Sequence, residues 1–558
     1  MKKIILTASS ILISFNIYGQ EALKSTEEEY YDFLSVEGIT ERPTINYRSL
    51  SDSQWNINNE NHPWNENNLG SKYTLYESTD ETENKFLRGI DRSVKLKVYG
   101  PEWFNSYNTA TPYGQNDGAL WQGKGYNTSL TAGARLEAYG LELTFKPKIS
   151  WMQNREFEYA TPAYGVENYK DKANLFGYYG ITSIDAPQRF GDKSFYNFDF
   201  GDTEIRYTWN CLTAGFGTQS IWLGPAQLNP IMHSNNAPGY PKFDIGLRRT
   251  GISMPYFGWN LGEIEARGWW GKLSESEYFD NVKENDNNLI TGISLAYAFP
   301  GVLEGLSIGV NRTMLSKWDD KNTYSLFEVF VPGLGRSGGK DENDQRFSMT
   351  FDYNLKSVGF DIYLEWARND YTPTMKRILR YPFHTEGWTF GARKNLDLPL
   401  GFKGQLKIEI THLESSRDYE LLWATTFYAH HIISQGYTNK GQILGAGTGF
   451  FGNSQFLGLK AYFPKGSAMF LFHRHCPDNN YVYNKTVGKP ITSTAPEYDQ
   501  YYASFMTYRT FSLSGNYFIT NNFILDGEIA YTIINNNYYN KNNDKQNFRF
   551  TLTVKYNF

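Results

Sequence analysis

The chain has 558 residues, and its 54 basic and 59 acidic side chains leave a formal net charge of -5 with no basic stripe, which disfavours nucleic acid as a partner. Aromatic residues make up 17% of the chain, although its mean hydropathy of -0.54 is that of a hydrophilic protein. Beyond the N-terminal region no stretch of about 18 apolar residues occurs, which argues against transmembrane helices.

The N-terminus has the pattern of a secretory signal peptide. Lys2-Lys3 forms a short basic region, and Ile4 to Phe15 is mostly apolar but too short to span a bilayer. The small Gly19 before Gln20 marks a cleavage point. We therefore expect residues 1–19 to be a signal peptide that directs export.

Residues 20–92 differ from the rest of the chain. Ser25 to Glu28 is a capping box that precedes an apolar run, and Gly38 is placed to end the helix. The stretch Asn56 to Lys85 is rich in Asn and Glu, as expected for a polar loop. We expect a small helical and loop element that packs under the main fold on the periplasmic side and is not an enzyme domain.

From residue 93 to residue 558 the dominant pattern is alternation. Phe548, Phe550, Leu552, Val554, Tyr556 and Phe558 alternate with polar residues, and Phe347 to Leu355 repeats the pattern. Side chains alternate faces along a strand, so each segment has an apolar and a polar face. The number of such strands is too large for one compact core. The pattern favours an all-β transmembrane outer-membrane barrel, with lipid outside and a wet lumen inside.

The connections between these strands are of two kinds. Long polar segments are predicted at 154–200, 311–346, 367–390, 411–455, 472–505 and 533–547. Tight turns are predicted at Tyr139-Gly140, Pro300-Gly301, Lys356-Ser357, Pro399 to Gly401, Pro464 to Gly466 and Thr520 to Asn522, with weaker ones near Cys211 and Asn260. Short periplasmic turns that alternate with long external loops are typical of outer-membrane barrels. The predicted turns correspond to about eight hairpins, which indicates ~16–18 antiparallel strands.

A segment from Asn105 to Gly125 breaks the alternation. It mixes amide, carboxylate, hydroxyl and Trp side chains with glycines, a combination suited to sugars. Trp121 offers a face for a pyranose ring, and Lys124 offers a charge for an acidic polymer. The candidate sugar-binding residues here are Asn116, Asp117, Trp121, Gln122 and Lys124. The alternative is a structural loop that folds into the lumen and satisfies its own backbone.

A second irregular segment runs from Gln219 to Pro241, where prolines at 225, 230, 238 and 241 exclude a regular strand. His233, Ser234 and Asn235 are residue types of a hydrolase triad, but neighbours in sequence rarely assemble one. Further candidate sugar-binding residues in this segment are Trp222, Asn229, Ser234, Asn235 and Asn236.

The remaining reactive side chains indicate no metal or cofactor. On a strand, His473 and His475 share a face but Cys476 points the other way, so the His-Arg-His-Cys string lacks the geometry of a metal site. Cys211 and Cys476 could pair in an oxidising compartment, and the sequence leaves this open.

Several strings resemble the Wzi family of capsule-assembly outer-membrane proteins, in the form found in Bacteroidetes. The strings are Asn116 to Gly125, Ile184 to Gly191, Ser234 to Gly239, Tyr31 to Leu34, Arg42-Pro43 and Gly436 to Gly445. The resemblance implies an 18-stranded barrel with an N-terminal helical bundle on the periplasmic side. It also implies lectin-like binding of capsular polysaccharide that helps to anchor the capsule at the cell surface.

The predicted function is therefore non-enzymatic binding of capsular or other surface polysaccharide at the outer membrane. The expected partners are this polymer, outer-membrane lipid and the barrel-insertion machinery, and the expected state is a monomer. Two alternatives remain open. A diffusion porin would need an open lumen, and an outer-membrane hydrolase would need a Ser, a His and an acid that converge in space.

Overall fold

The computed structural model describes residues 17–19, 25–49, 55–57, 61–67, 74–79, 89–163, 175–280, 282–319, 323–330, 343–369, 379–380, 383–414, 427–449, 451–482 and 503–556. The predicted signal peptide lies outside these residues except for its last three. The Asn-rich stretch 56–85 and the predicted loops 154–200, 311–346, 367–390, 411–455 and 472–505 also lie partly outside them.

Strands dominate the fold. The strands that precede β6 in the chain are β1 (Ile17–Gly19), β2 (Thr40–Glu41), β3 (Tyr47–Ser49), β4 (Trp55–Ile57) and β5 (Thr74–Thr79), and β5 pairs with the start of β6. The next strands are β6 (Ser93–Asn108), β7 (Gly125–Ala138), β8 (Leu141–Phe145), β9 (Lys148–Met152), β10 (Phe195–Asp199), β11 (Glu204–Trp209), β12 (Leu212–Gly217), β13 (Ile221–Leu223), β14 (Lys242–Ser253), β15 (Asn260–Ser274), β16 (Asn287–Ala298) and β17 (Leu306–Lys317). The remainder are β18 (Asn343–Leu355), β19 (Phe360–Asn369), β20 (Glu386–Asp397), β21 (Lys403–His412), β22 (Thr438–Asn439), β23 (Gln442–Ile443), β24 (Asn453–Phe463), β25 (Gly466–Cys476), β26 (Thr507–Phe518), β27 (Phe523–Asn535) and β28 (Lys545–Tyr556).

Helices are few and short. Those that lie wholly within the described residues are α1 (Thr26–Val36), α2 (Thr323–Phe327) and the 3-10 helices Asn65–Asn67, Lys283–Asn285, Gly301–Leu303, Glu328–Phe330, Lys356–Val358, Pro399–Gly401 and Asn537–Tyr539. Within the described residues, none is both long and apolar enough to cross a membrane.

The strands form a closed antiparallel barrel of 18 strands, in which β8 with β9 and β10 with β11 each make one interrupted strand. β28 pairs with β6 from Arg549 opposite Asn108 to Lys555 opposite Glu102, which closes the cylinder. Closure leaves no free sheet edge, a condition for crossing a membrane with strands. The predicted all-β barrel is confirmed.

The wall has an apolar exterior and a polar interior. In β28, Phe550 and Leu552 are 45% and 48% exposed, whereas Lys555 is 7% exposed. Because alternate residues point to opposite faces, the exposed apolar set is the outer, lipid-facing surface and the buried polar set faces the lumen. This confirms the alternation predicted from sequence.

The two ends of the barrel differ. Short turns join strands at one end, which we call the short-turn rim, and they include the predicted turns at Tyr139-Gly140 and Lys356-Ser357. The long connections all leave the other end, the long-loop rim. Cys211 lies in a turn at the short-turn rim and Cys476 ends β25 near the long-loop rim, and both cysteines are free.

Helix α1 lies in the mouth of the barrel at the short-turn rim. The Ser25 side chain accepts a hydrogen bond from the Glu28 amide at 3.1 Å, as the capping box predicts. Glu29 forms ion pairs with Lys407 and Lys460, two lumen-facing lysines of β21 and β24. An aromatic cluster fixes the other side of the helix, with the rings of Tyr30 and Trp64 3.9 Å apart. The N-terminal element therefore packs within the mouth as well as beneath it.

Carboxylates on the lumen wall hold the irregular segments inside the barrel. Glu265 accepts the backbone amides of residues 45–47 at 2.7–3.0 Å. Glu409 accepts those of residues 227–229 at 2.6–3.1 Å, and Glu365 accepts the Ile231 amide at 2.7 Å. A buried backbone amide needs an acceptor, and these wall carboxylates supply one without any strand pairing. We call residues 219–241, which these contacts hold within the lumen, the plug.

Candidate functional site

The first irregular segment contains a loop whose two ends meet. The Tyr113 amide donates to the Gln122 carbonyl at 3.2 Å. At the end of β6, the Asn108 side-chain amide donates to the carbonyls of Tyr113, Gln122 and Gly123, each at 3.2 Å. Residues 113–122 are thus an Ω-like loop with a fixed neck. We call them the neck loop.

The neck loop turns sharply within the barrel. Asn116 and Gly118 have φ values of 60° and 61°, a region that Asn and Gly adopt most readily. The Gly118 amide donates to the Asn235 carbonyl at 2.8 Å, which ties the loop to the plug. The sequence therefore brings its two irregular segments into contact.

An outer cavity of about 200 Å³ lies beside this loop, towards the long-loop rim. Five of the predicted sugar-binding residues line it: Asn116, Asp117, Trp121, Gln122 and Asn236. Side chains that the sequence did not single out for sugar complete the wall: Tyr113, Gln115, Gln442, His475 and Tyr508.

Two residues that line the outer cavity carry buried acceptor oxygens without a partner among the described residues. Asn116 Oδ1 and Gln122 Oε1 accept no hydrogen bond from the described residues, and Gln122 is only 4% exposed. The Asn116 Nδ2 group donates to the Leu228 carbonyl at 2.9 Å, which fixes the direction of the amide. Buried polar atoms of this kind are normally satisfied, so the pair is suited to a ligand that donates hydroxyl groups.

Aromatic rings adjoin these acceptors. The His475 and Tyr508 rings stack 4.6 Å apart at an angle of 12°, as neighbours across β25 and β26. The Trp121 ring packs 5.2 Å from Phe190 and against Gly123, so much of its surface is already covered. Tyr508 is therefore as strong a candidate for stacking on a sugar as Trp121.

Burial sets the charge state of the acid in the neck loop. Burial raises the pKa of the Asp117 carboxyl above its ordinary value, while the Arg549 guanidinium and a hydrogen bond from Gln122 oppose the shift. The carboxyl therefore titrates closer to neutrality than an exposed aspartate does.

The other five predicted candidates do not line the outer cavity. Trp222 is fully buried, with its indole nitrogen donating to the Ala226 carbonyl at 2.9 Å. Asn229 is bonded through both ends of its amide, to Ser454 and Gln115. Lys124 and Ser234 do not line the cavity either, whereas Asn235 lines a second cavity on the other side of the neck loop.

The residues of the possible hydrolase triad are bonded elsewhere. His233 Nε2 accepts from the Tyr240 hydroxyl at 3.0 Å, and Ser234 Oγ donates to the Gly445 carbonyl at 2.7 Å. No group of three or more His, Cys, Asp or Glu side chains within the described ranges is placed to hold a metal ion.

The model of one protein family, described as capsule assembly protein Wzi, matches residues 106–548. The chain belongs to the Wzi family. The matched range contains the neck loop, the plug and all but the ends of the barrel. Membership in this family and the apolar exterior of the closed barrel locate the protein in the outer membrane. The short-turn rim then faces the periplasm and the long-loop rim the exterior.

Among solved structures, one shares the fold of this Wzi-family barrel and others match it less well. The Escherichia coli Wzi protein, described as a carbohydrate-binding β-barrel involved in group 1 capsule assembly, matches at 11% identity over 82% of this chain and 85% of its own, with a TM-score of 0.55. OprD from Pseudomonas aeruginosa matches at 9% identity over 83% and 92%, with a TM-score of 0.36. OccAB4 from Acinetobacter baumannii matches at 9% identity over 82% of this chain and 97% of its own, with a TM-score of 0.37. The search of curated proteins found no match to the chain.

Proposed function

We propose that the protein binds a surface polysaccharide in the outer cavity and helps to hold it at the cell surface during capsule assembly. The observation that carries this proposal is the pair of buried acceptors, Asn116 Oδ1 and Gln122 Oε1, beside the stacked rings of His475 and Tyr508. Family membership and the carbohydrate-binding description of the E. coli protein support the same polymer class.

The proposed mechanism is non-covalent. A cavity of about 200 Å³ holds roughly one sugar unit, so each contact is weak. A long polymer repeats its units, and several barrels in one membrane then engage one strand, which gives durable retention through multivalency. The separate hydrogen bonds of His233 and Ser234 support a binding role over a hydrolytic one.

Further parts of the proposal rest on sequence features and on the fold. A single chain closes the barrel, which supports a monomer. Residues 1–19 are proposed as a signal peptide, residues 20–92 as a periplasmic element and residues 93–558 as the barrel, which the insertion machinery assembles. The strings Asn116 to Gly125 and Ile184 to Gly191 support the Bacteroidetes form of the family.

The test is retention of capsule in a deletion strain that carries variant copies of the gene. Asn116→Ala and Gln122→Ala should each weaken polysaccharide binding by about five- to thirtyfold, because one hydrogen bond to a buried acceptor is lost at roughly 1–2 kcal/mol. Polymer should then move from the cell surface to the medium.

The matched control is Asn521→Ala, an exposed residue in a turn at the short-turn rim. Gel mobility with and without heating shows whether each barrel has folded. Wild-type retention and affinity in both folded cavity variants would refute this site.

A further inference from the structure

A second cavity lies on the inner side of the neck loop. It has a volume of about 300 Å³ and lies against β6, β7 and β9. Asn116, Asp117 and Leu120 line both this inner cavity and the outer one. The two spaces therefore have a common wall, and that wall is the tip of the neck loop.

A third cavity continues towards the periplasm. It measures about 180 Å³ and is bounded by Phe518 and Ile524 at the short-turn ends of β26 and β27. Ser25 and Glu102 line both this cavity and the inner one. The three cavities thus form a series along one side of the lumen, from the long-loop rim to the short-turn rim.

The two halves of the lumen are closed in different ways. The plug is held on the wall by Glu365 and Glu409 through several backbone amides. The neck loop, by comparison, is tethered by single bonds. The Gly118 amide and the side chains of Gln115 and Asn116 bond to the plug, and the Ala119 carbonyl accepts from the Asn197 side chain of β10 at 2.8 Å. Because the neck is fixed, the tip of the loop can change its conformation while the two ends of the loop stay in place.

The lining of the two inner spaces is polar and more acidic than basic. Six carboxylates and three lysines line the inner and periplasmic cavities: Glu27, Glu102, Asp117, Asp199, Asp202, Asp526, Lys146, Lys148 and Lys555. A narrow space with an excess of carboxylates raises the local concentration of cations.

We propose that residues 115–120 form the barrier of a polar passage along this side of the lumen, which admits small hydrated solutes and prefers cations once the barrier is displaced. This activity is separate from the retention of polysaccharide and does not depend on it. The plug stays bound to Glu365 and Glu409 in either state.

The experiment is conductance in planar lipid bilayers. In the first variant Gly-Gly replaces residues 115–120, between Gly114 and Trp121, because the neck bonds of Asn108 remain. In the second variant, Gln115→Ala with Asn116→Gly, the chain keeps its length but loses two tethers of the loop. In the control a single glycine replaces residues 283–285 in an external loop.

We expect wild type and control to show no steady current, the shortened variant to show stable open steps, and the second variant to show brief openings. Under a salt gradient the reversal potential should have the sign of cation preference, and Lys148→Glu in the shortened variant should increase that preference. Folded barrier variants with no more current than wild type would overturn the proposal, and so would steady current in the control or anion preference in the open variant.

Discussion

The carboxylate of Glu409, on the barrel wall, accepts the backbone amide of Asn229, in the plug, at 2.8 Å. The amides of Gln227 and Leu228 converge on the same carboxylate, and the Tyr363 hydroxyl donates to it at 2.7 Å. One side chain therefore satisfies three successive backbone amides that have no strand to pair with. The alternating polar face of the wall thus also serves as the scaffold for the irregular chain inside.

The first prediction concerns this scaffold. Glu409→Ala should leave three buried amides without an acceptor, each at a cost of about 1–3 kcal/mol, so the plug should loosen while the barrel wall persists. Hydrogen exchange of residues 225–232 should become much faster. Glu409→Gln keeps one acceptor oxygen and should have a smaller effect, and Glu304→Ala in an exposed turn should have none. Unchanged exchange in Glu409→Ala would contradict this role.

The second prediction is acid sensitivity of the plug through His233. Burial and the nearby Lys242 ammonium lower the pKa of His233 to about 3. Its Nδ1 lies 3.2 and 3.1 Å from the carbonyls of Ile221 and Ser234, so Nδ1 carries the proton of the neutral ring. When the plug loosens, His233 becomes exposed and gains a proton near its ordinary pKa of 6.5. The buried ring in the packed plug does not gain this proton until the pH is much lower. The packed plug therefore loses stability as the pH falls from about 6.5 towards 3.

Hydrogen exchange of residues 219–241 at pH 7.5 and pH 5, corrected for intrinsic rates, measures this loss. His233→Gln should flatten the pH dependence, since an amide can donate to a carbonyl and accept from Tyr240 without a titrating group. Equal pH dependence in wild type and in His233→Gln would exclude His233 as the cause.

The third prediction tests which face of β28 meets lipid. Leu552→Arg places a charge on the outer face, at a cost of about 2–4 kcal/mol near the midplane of the bilayer. Thr553 faces the lumen and lines the third cavity, so Thr553→Arg places its charge in a polar space and should be tolerated. The yield of heat-modifiable barrel in membrane fractions should fall only for Leu552→Arg. Equal yields would argue against the assigned faces.

The fourth prediction concerns stacking in the outer cavity. Tyr508→Ala should weaken polysaccharide binding by about five- to tenfold, because the loss of an aromatic face costs roughly 1–1.5 kcal/mol. Tyr508→Phe keeps the ring and should bind nearly as wild type does. Binding to immobilised polysaccharide measures both, and a folded Tyr508→Ala protein with wild-type affinity would remove Tyr508 from the site.

Local pattern was sufficient to predict the barrel. Alternation with a period of two is a property of each strand by itself, and turn residues such as Tyr139-Gly140 are recognised without knowledge of distant residues. The position of α1 was not predictable in the same way. It depends on Glu29 meeting Lys407 and Lys460, and no local signal pairs residues so far apart along the chain.

The candidate site likewise contains residues that a local pattern indicates and residues that only contacts between distant strands bring together. The sequence indicates Asn116, Asp117 and Gln122 as candidates because their residue types are concentrated in one irregular segment. The sequence does not indicate His475 and Tyr508 as a candidate pair, because their juxtaposition comes from the register of β25 with β26. The alternation of His473 and His475 indicates that the two rings share a face of β25, but not which residue of β26 lies beside them.

The wall carboxylates also impose an order on assembly. The plug is synthesised and exported before Glu365 and Glu409, which lie 134 to 182 residues later in the chain than the amides they accept. Until those strands have joined the wall, the amides of residues 227–229 and of Ile231 lack the carboxylates that accept them in the finished barrel. We therefore expect protease protection of residues 219–241 to appear only after β19 and β21 have inserted, which makes the interior of this barrel the last part to become ordered.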